Sequence, residues 1–204
     1  MSAPRSVTLA FTGASGMPYG LRLLECVVAA GCRVALLYSP AAQVVAKQEC
    51  GLTLSAQPRE AARMFAERYG AAAGQITVHA REDWLAPIAS GSNPADAMVV
   101  CPCSMGTLAA IAHGLSDNLI ERAADVMLKE QKKLILVPRE APFSTLHLEN
   151  MLTLSRMNAV ILPANPGFYH RPQHVEDIID FIVARILDQL GIQHSLMARW
   201  GNER

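Results

Sequence analysis

Two short turns in the sequence combine glycine with hydroxyl side chains directly after apolar runs. Residues 13–16 read Gly-Ala-Ser-Gly, and residues 104–107 read Ser-Met-Gly-Thr. The unpaired amides at the start of a helix attract anions, and glycine lets an anion approach the backbone closely. The two turns therefore indicate an anion site, although each glycine also suits a local turn and Ser104 also suits a helix N-cap.

The end of the second apolar run limits which cofactor such a site accepts. A dinucleotide-binding fold places Asp or Glu there to bind the ribose, whereas this chain has Tyr38-Ser39-Pro40. NAD is therefore disfavoured. A mononucleotide such as FMN needs only a phosphate cradle and a flat slot.

Three basic residues have positions that suit a second anion. Arg122 and Lys129 are seven apart in one predicted helix and so share a face. Arg185 lies on the apolar stripe of the last predicted helix, where we expect it to face the core and to need a partner. The alternatives are ion pairs within each helix, with Asp125 on the first and Asp188 on the second.

Glu49 and Glu140 are the carboxylates that fall near this predicted site. A carboxyl group among cations can relay protons to a leaving oxygen, and a surface ion pair is the alternative for each. The chain has no Asp-Asp pair of the kind that holds a magnesium diphosphate, so cationic side chains alone would bind a monophosphate. Cys101-Pro-Cys103 suggests a metal or redox pair, but no second Cys/His pair supports zinc, and core filling is the simpler interpretation. We expect a metal-free protein.

Buried parallel strands must position these turns. Six apolar runs are nearly continuous rather than alternating, as in a sheet that is covered on both faces. They are Val7–Thr12, Arg33–Tyr38, Ile76–His79, Ala97–Cys101, Leu134–Val137 and Ala159–Leu162. Helical periods separate them, at about Pro18–Ala30, Ala41–Glu49, Arg59–Tyr69, Ser104–Ala112, Leu119–Glu130, Ser144–Met157 and His174–Leu190. This order predicts one domain over residues 1–204, with an α/β, Rossmann-like or flavodoxin-like, three-layer αβα fold and a mainly parallel open sheet. Ligands of such sheets bind beyond the carboxyl ends of the strands, where both turns lie.

Composition excludes several functional classes. Among 204 residues, 18 Lys+Arg balance 18 Asp+Glu, which argues against a general nucleic-acid binder. Hydrophobic residues make up 51% and charged residues only 18%, so disorder is excluded and contacts between copies of the chain are expected to bury part of the surface. Five cysteines without framework spacing, no signal h-region and no membrane span favour a cytoplasmic protein.

Five ordered segments resemble the flavin prenyltransferases of the UbiX/Pad type, which are related to the homo-oligomeric flavin-containing cysteine decarboxylases. The segments are Gly13–Gly16, Cys101–Thr107, Gly114–Val126, Leu136–Glu140 and Pro163–Tyr169, and the resemblance covers essentially the whole chain. It implies that FMN and dimethylallyl phosphate meet near subunit interfaces of a dodecamer. The dimethylallyl group would join N5 and C6 of reduced FMN. The prenylated FMN would serve UbiD-type decarboxylases, notably in ubiquinone synthesis.

The resemblance also implies roles for individual residues. Those implied to hold FMN are Gly13, Ala14, Ser15, Ser39, Ser104, Met105, Gly106, Thr107 and Arg139. Those implied to hold the substrate phosphate, from one or more subunits, are Arg122, Lys129, Tyr169 and Arg185, and Tyr169 is also counted among the catalytic residues. Glu140 would assist phosphate departure, and Ser15 and Glu49 would serve the later ring closure. Trp84 would form an aromatic wall against the allylic group, with Trp200 as a second aromatic residue.

Two alternatives stay open at this stage. A flavin-dependent decarboxylase of peptidyl cysteine shares the flavin fold but relies on a catalytic histidine, and none of the six histidines here lies in a matching motif. A non-catalytic flavin carrier or decarboxylase subunit is the other alternative. A carrier has no use for a second phosphate site, so the basic residues discriminate against it.

Overall fold

The computed structural model describes residues 3–197, and its sheet has six strands that pair in parallel throughout. The strands are β1 (Ser6–Phe11), β2 (Arg33–Tyr38), β3 (Ile76–Val78), β4 (Ala97–Cys103), β5 (Lys133–Pro138) and β6 (Val160–Ile161). Their order across the sheet is β3-β2-β1-β4-β5-β6, so the strand order reverses between β1 and β4. A crevice at such a reversal is the usual ligand site of an open α/β sheet.

The two strands at the reversal are buried along almost their whole length. All seven residues of β4 and five of the six in β1 are buried, as their continuous apolar sequences predict. Val7 lies opposite Ala97 and Ala10 lies opposite Val100. The turns that follow β1 and β4 therefore begin side by side at the carboxyl edge of the sheet.

Helices cover both faces of the sheet, which confirms the predicted three-layer architecture. In the described part of the chain they are α1 (Met17–Ala29), α2 (Pro40–Cys50), α3 (Pro58–Tyr69), α4 (Met105–Ala112), α5 (Leu119–Lys129), α6 (Thr145–Arg156) and α7 (Val175–Leu190), with a short 3-10 helix at Pro87–Ala89. One hydrophobic cluster joins the sheet to α1, α2, α3 and α7. A second cluster joins the opposite face to α4, α5 and α6. Side chains on α5 and α7 are thus separated by the sheet.

The structure departs from the predicted boundaries at β4 and β6. β4 continues past the predicted end at Cys101 to Cys103, because the Pro102 carbonyl still accepts a hydrogen bond from the Thr12 amide at 3.2 Å. The pairing with β5 shifts register between Val100 and Cys103, which accommodates the proline. β6 is shorter than predicted, as it pairs only at Val160 and Ile161 on the edge of the sheet.

Cys101 and Cys103, at the register shift, have side chains on opposite faces of the sheet. Cys101 packs into the cluster with α1 and α7, whereas Cys103 packs into the cluster with α4 and α5, on the other face of the sheet. Burial raises the pKa of both thiols, that of Cys103 to about 12. All five cysteines are free thiols. These two are core residues, as the simpler interpretation expected, and their placement rules out a shared metal or redox site.

Residues 3–197 contain neither a membrane-crossing helix nor a cluster of metal ligands. No helix there combines the length and the apolar character needed to cross a bilayer. No group of three or more His, Cys, Asp and Glu side chains in that range is arranged to hold a metal ion.

Candidate functional site

Thr12 fixes the ends of β1 and β4 relative to each other. Its buried Oγ1 donates to the Pro102 carbonyl at 2.8 Å and accepts from the Ser104 amide at 2.7 Å. One hydroxyl therefore sets where α4 begins. The local sequence predicts only a strand end at Thr12, because the partners of its hydroxyl are ninety or more residues away.

Ser104 is the N-cap of α4, as predicted. Its Oγ accepts from the Thr107 amide at 3.3 Å and donates to the Thr107 hydroxyl at 3.0 Å. The cap leaves the first-turn amides of Met105 and Gly106 without partners inside the helix. These amides and the two hydroxyls are a donor set that suits an anion.

A cleft of about 480 Å³ lies at this edge, between the starts of α2 and α4, and its lining includes Gly13, Ser39, Ser104, Gly106 and Thr107. A Cβ at residue 13 would lie 2.5 Å from the Ala41 Cβ, so glycine is required where β1 passes the start of α2. A Cβ at Gly106 would meet no atom within 4 Å, because that position opens into space. The Ser39 side chain caps α2 by accepting from the Ala42 amide at 3.1 Å.

Glu49, near the end of α2, extends its carboxylate to the start of α1, next to Ser15 in the sequence. Its carboxylate accepts from the Gly16 amide at 2.9 Å and from the Met17 amide at 2.8 Å. Gly16 adopts φ 115°, a left-handed conformation that favours glycine. The surface ion pair that was the alternative for Glu49 is therefore absent from the described residues, and its carboxylate caps the helix instead.

Arg139 reaches the same segment from the end of β5, since its Nε donates to the Ser15 carbonyl at 3.3 Å. Glu140 follows on an exposed turn, where its carboxylate accepts from the Ala141 amide at 3.1 Å. The structure thus brings Ser15, Glu49 and Arg139 together, with Glu140 next in sequence to the arginine.

Arg122 and Lys129 share one face of α5, as their spacing predicts. Arg122 donates to the Ala89 carbonyl at 2.9 Å and pairs with Asp125 at 2.7 Å. Lys129 pairs with Glu130, and its Nζ lies beside Gly91. Arg122 therefore lies against the end of the 3-10 helix and Lys129 against the loop that follows it. Asp125 is the helical partner of Arg122, as the alternative held.

The expectation that Arg185 faces the core is wrong. Its side chain is 51% exposed and pairs with Asp188 at 2.8 Å. Positions with helical spacing form the buried face of α7, namely Val183, Ile186, Leu187 and Leu190. Residue 185 falls outside that face, although it is only three residues after the buried Ile182. The centre of the buried face is rotated away from residue 185.

Two aromatic side chains assigned to the site are exposed within the single chain. Trp84 is 47% exposed in the loop after β3, and Tyr169 is 56% exposed after β6. The Tyr169 ring packs edge-on against Phe181 of α7, with 5.8 Å between centroids. A Cβ at Gly167 would come within 2.9 Å of the Tyr169 ring, so the glycine permits this packing. Trp200 lies outside the described residues.

One chain does not gather all four residues implied to bind the substrate phosphate. Arg122 and Lys129 lie on α5, whereas Arg185 lies on α7 and Tyr169 packs against it. The sheet separates these two helices. In one chain, the two pairs therefore lie in different layers.

Comparisons with known proteins identify the family and the fold of this chain. The Flavoprotein family model matches residues 1–187. The flavin prenyltransferase UbiX of Pseudomonas aeruginosa is 59% identical over 203 residues, which is 100% of this chain and 97% of that protein. The crystal structure of AnUbiX (PadA1) in complex with FMN and dimethylallyl pyrophosphate is 39% identical, with a TM-score of 0.87 over 98% of this chain and 100% of that one.

A third similar protein has a known oligomeric state. The dodecameric FMN-dependent UbiX-like decarboxylase of Escherichia coli O157:H7 is 41% identical, with a TM-score of 0.85 over 97% of this chain and 100% of that one. Sequence and fold agree along almost the full length in each of these comparisons. This chain belongs to the UbiX family of flavin prenyltransferases, within the wider Flavoprotein family.

Proposed function

We propose that this protein joins the dimethylallyl group of dimethylallyl phosphate to N5 and C6 of reduced FMN, as a metal-independent flavin prenyltransferase. One observation carries the proposal. The cleft at the start of α4 adjoins the Ser15 segment, which Glu49 and Arg139 contact from two other elements. An anion cradle and a carboxylate–guanidinium cluster thus occupy one edge of the sheet.

The residues of the cleft fit FMN. The open space at Gly106 leaves room for a phosphate against the first turn of α4, and the hydroxyls of Ser39, Ser104 and Thr107 are at hand to donate. When bound, reduced FMN supplies the two nucleophilic atoms, N5 and C6. The chain's task is then to orient that ring and to keep water away from the allylic carbon.

The cations stabilise the leaving phosphate. Breaking the allylic C–O bond develops negative charge on phosphate, which fixed guanidinium and ammonium groups stabilise. Arg122 and Lys129 of one copy supply these groups together with Tyr169 and Arg185 of another. The separation of α5 from α7 supports this division, and so does the dodecameric relative. The protein accordingly works as a homo-oligomer, with a dodecamer as its expected form.

The remaining assigned residues act at the carbon and proton steps. Trp84 presents an aromatic face that tolerates positive charge on the allylic group, and Trp200 adds a second face. Glu140 donates a proton to the departing phosphate. The proton lost from N5 as its new C–N bond forms balances the proton taken up by the phosphate. Ring closure then adds one proton to the prenyl double bond and removes one from C6, and Ser15 and Glu49 accept the proton that leaves C6.

The product has a defined destination in this proposal. A UbiD-type decarboxylase accepts the prenylated FMN, including one in ubiquinone synthesis, and the transfer takes place in the cytoplasm between soluble partners. Residues 1–204 act as one domain throughout. The five free thiols support a reducing compartment.

An anaerobic assay tests the proposal. Protein, reduced FMN and dimethylallyl phosphate are mixed without metal, and the flavin is weighed by mass spectrometry. We expect a flavin heavier by one five-carbon isoprene unit and an equal amount of inorganic phosphate. A parallel reaction with dimethylallyl diphosphate compares the two donors. FMN that binds but gains no mass with either donor would overturn the proposal in favour of a flavin carrier.

A further inference from the structure

Arg81 lies in the same cleft, although no role was assigned to it above. The cleft lining includes Arg81 beside Gly13, Ser39 and the start of α4. Among the described residues that line it, Arg81 is the basic one and Glu121 the acidic one. Glu121 is engaged elsewhere, since its carboxylate accepts from the Asp117 amide at 2.9 Å.

Two contacts hold the loop that carries Arg81. The Arg81 carbonyl accepts from the Leu119 amide at 2.8 Å, which ties residue 81 to the start of α5. Two residues away on either side, the His79 ring and the Asp83 carboxylate pair at 3.0 Å. The backbone of Arg81 is therefore fixed at the mouth of the cleft.

The Arg81 guanidinium makes no hydrogen bond or ion pair with any residue in the range 3–197, whereas other basic residues near the site are engaged. Arg122 pairs with Asp125, and Arg139 donates to the Ser15 carbonyl. Guanidinium forms strong paired hydrogen bonds with phosphate oxygens. An uncommitted guanidinium that lines the same cleft as these hydroxyls and helix-start amides completes a site for a doubly charged phosphate ester.

We propose that Arg81 binds the phosphate group of FMN and makes the cleft discriminate FMN from riboflavin. The inference rests on the proposed function, because it takes FMN as the ligand of this cleft. Arg81 is a binding residue in this assignment, and it takes no part in breaking or forming bonds.

Flavin titrations of the whole protein test the assignment. Kd values for FMN and for riboflavin are measured by flavin fluorescence for wild type, Arg81→Ala and Arg81→Lys. We expect Arg81→Ala to raise the FMN Kd by about tenfold to a hundredfold, as for the loss of a charged hydrogen bond, and to leave the riboflavin Kd unchanged. Arg81→Lys keeps the positive charge but loses the paired N–H donors of the guanidinium. We therefore expect its FMN Kd to lie between those of wild type and Arg81→Ala.

Arg59→Ala is the matched control, since it removes an exposed arginine from the start of α3. It is expected to leave the FMN Kd unchanged, which separates direct contact from a general loss of positive charge. Equal weakening of FMN and riboflavin by Arg81→Ala would overturn the proposal, because it would mean that Arg81 only shapes the loop. An unchanged FMN Kd in both Arg81 variants would also overturn it.

The two proposals fail in different ways. A wild-type protein that binds and prenylates FMN, while the Arg81 variants bind FMN normally, removes the role of Arg81 alone. A wild-type protein that does not bind FMN overturns both. If Arg81→Ala does not fold, the Arg81→Lys titration and the FMN-to-riboflavin preference of that variant decide the question.

Discussion

The Glu49 carboxylate has a structural contact and a proposed chemical role at the same atoms. It accepts hydrogen bonds from the amides of Gly16 and Met17, and it lies beside Ser15. A carboxylate at a helix start stabilises the helix through these bonds and through the helix dipole. Removing the Glu49 side chain would therefore abolish the helix cap and the proposed proton acceptor together.

Two substitutions separate them. Glu49→Gln keeps an oxygen that can accept from the helix amides, so we expect it to cost less than about 1 kcal/mol of stability. It removes the proton acceptor, and prenylated FMN formation should fall at least about tenfold. Glu49→Ala should lose both activity and about 0.5–2 kcal/mol of stability. Thermal unfolding and the anaerobic mass assay provide the measurements, and a fully active Glu49→Gln would show that Glu49 is only a helix cap.

At the scale of elements, the order of strands and helices could be predicted from hydrophobic periodicity. β1 and β4 are buried on both faces, and continuous apolar runs express that directly. Contacts between distant segments could not be predicted in this way. Thr12 and Pro102 are ninety residues apart in the sequence. The loop with Arg81 has no hydrophobic periodicity, so its sequence does not indicate that Arg81 lines this cleft.

Arg185 shows how far side-chain burial can be predicted from spacing within a regular helix. Its spacing from apolar neighbours suggested a core position, but α7 buries the face with Val183 and Ile186 instead. Periodicity gives the presence of a helix more securely than its exact rotation against the sheet. The contacts that the sequence anticipated are local ones, namely the Ser104 cap and the ion pairs of Arg122 with Asp125 and of Arg185 with Asp188.

The Thr12 hydroxyl makes the position of α4 testable. Thr12→Val removes the acceptor of the Ser104 amide and the donor to the Pro102 carbonyl without changing side-chain size. We expect a stability loss of about 1–3 kcal/mol and weaker FMN binding, because the start of α4 is no longer fixed. Thr12→Ser keeps the hydroxyl and is expected to bind FMN like wild type. Thermal midpoints at one protein concentration and FMN titrations would check both variants, and normal FMN binding by Thr12→Val would contradict this account.

At the scale of the whole molecule, the sheet separates the cations proposed to bind phosphate into two layers. Arg122 is held on α5 by Ala89 and Asp125, and Arg185 lies on α7 beside Asp188. Neither helix can pass through the sheet to reach the other. The balanced charge of the chain hides this distribution, since each cation has a carboxylate neighbour on its own helix. We therefore expect an assembled phosphate site to take Arg122 and Arg185 from different copies of the chain.

Mixed oligomers test this division of labour directly. Arg122→Ala and Arg185→Ala are each expected to lose prenyl transfer when assembled alone. When the two variants are co-expressed with different tags and the hybrid oligomers are isolated, some sites combine an intact Arg122 from one copy with an intact Arg185 from another. Random mixing of equal amounts should restore about one quarter of wild-type activity, because each arginine is intact at about half of its positions.

The control is a mixture of the two variants assembled separately, which should stay inactive as long as subunits do not exchange. Hybrids that also stay inactive, although they bind FMN like wild type, would place both arginines of a site on the same chain. Such a result would require α5 and α7 to reach one phosphate around the same sheet, which their packing on opposite faces opposes. Recovery in the hybrids alone therefore ties activity to assembly, and a monomeric form of this protein would bind flavin without transferring the prenyl group.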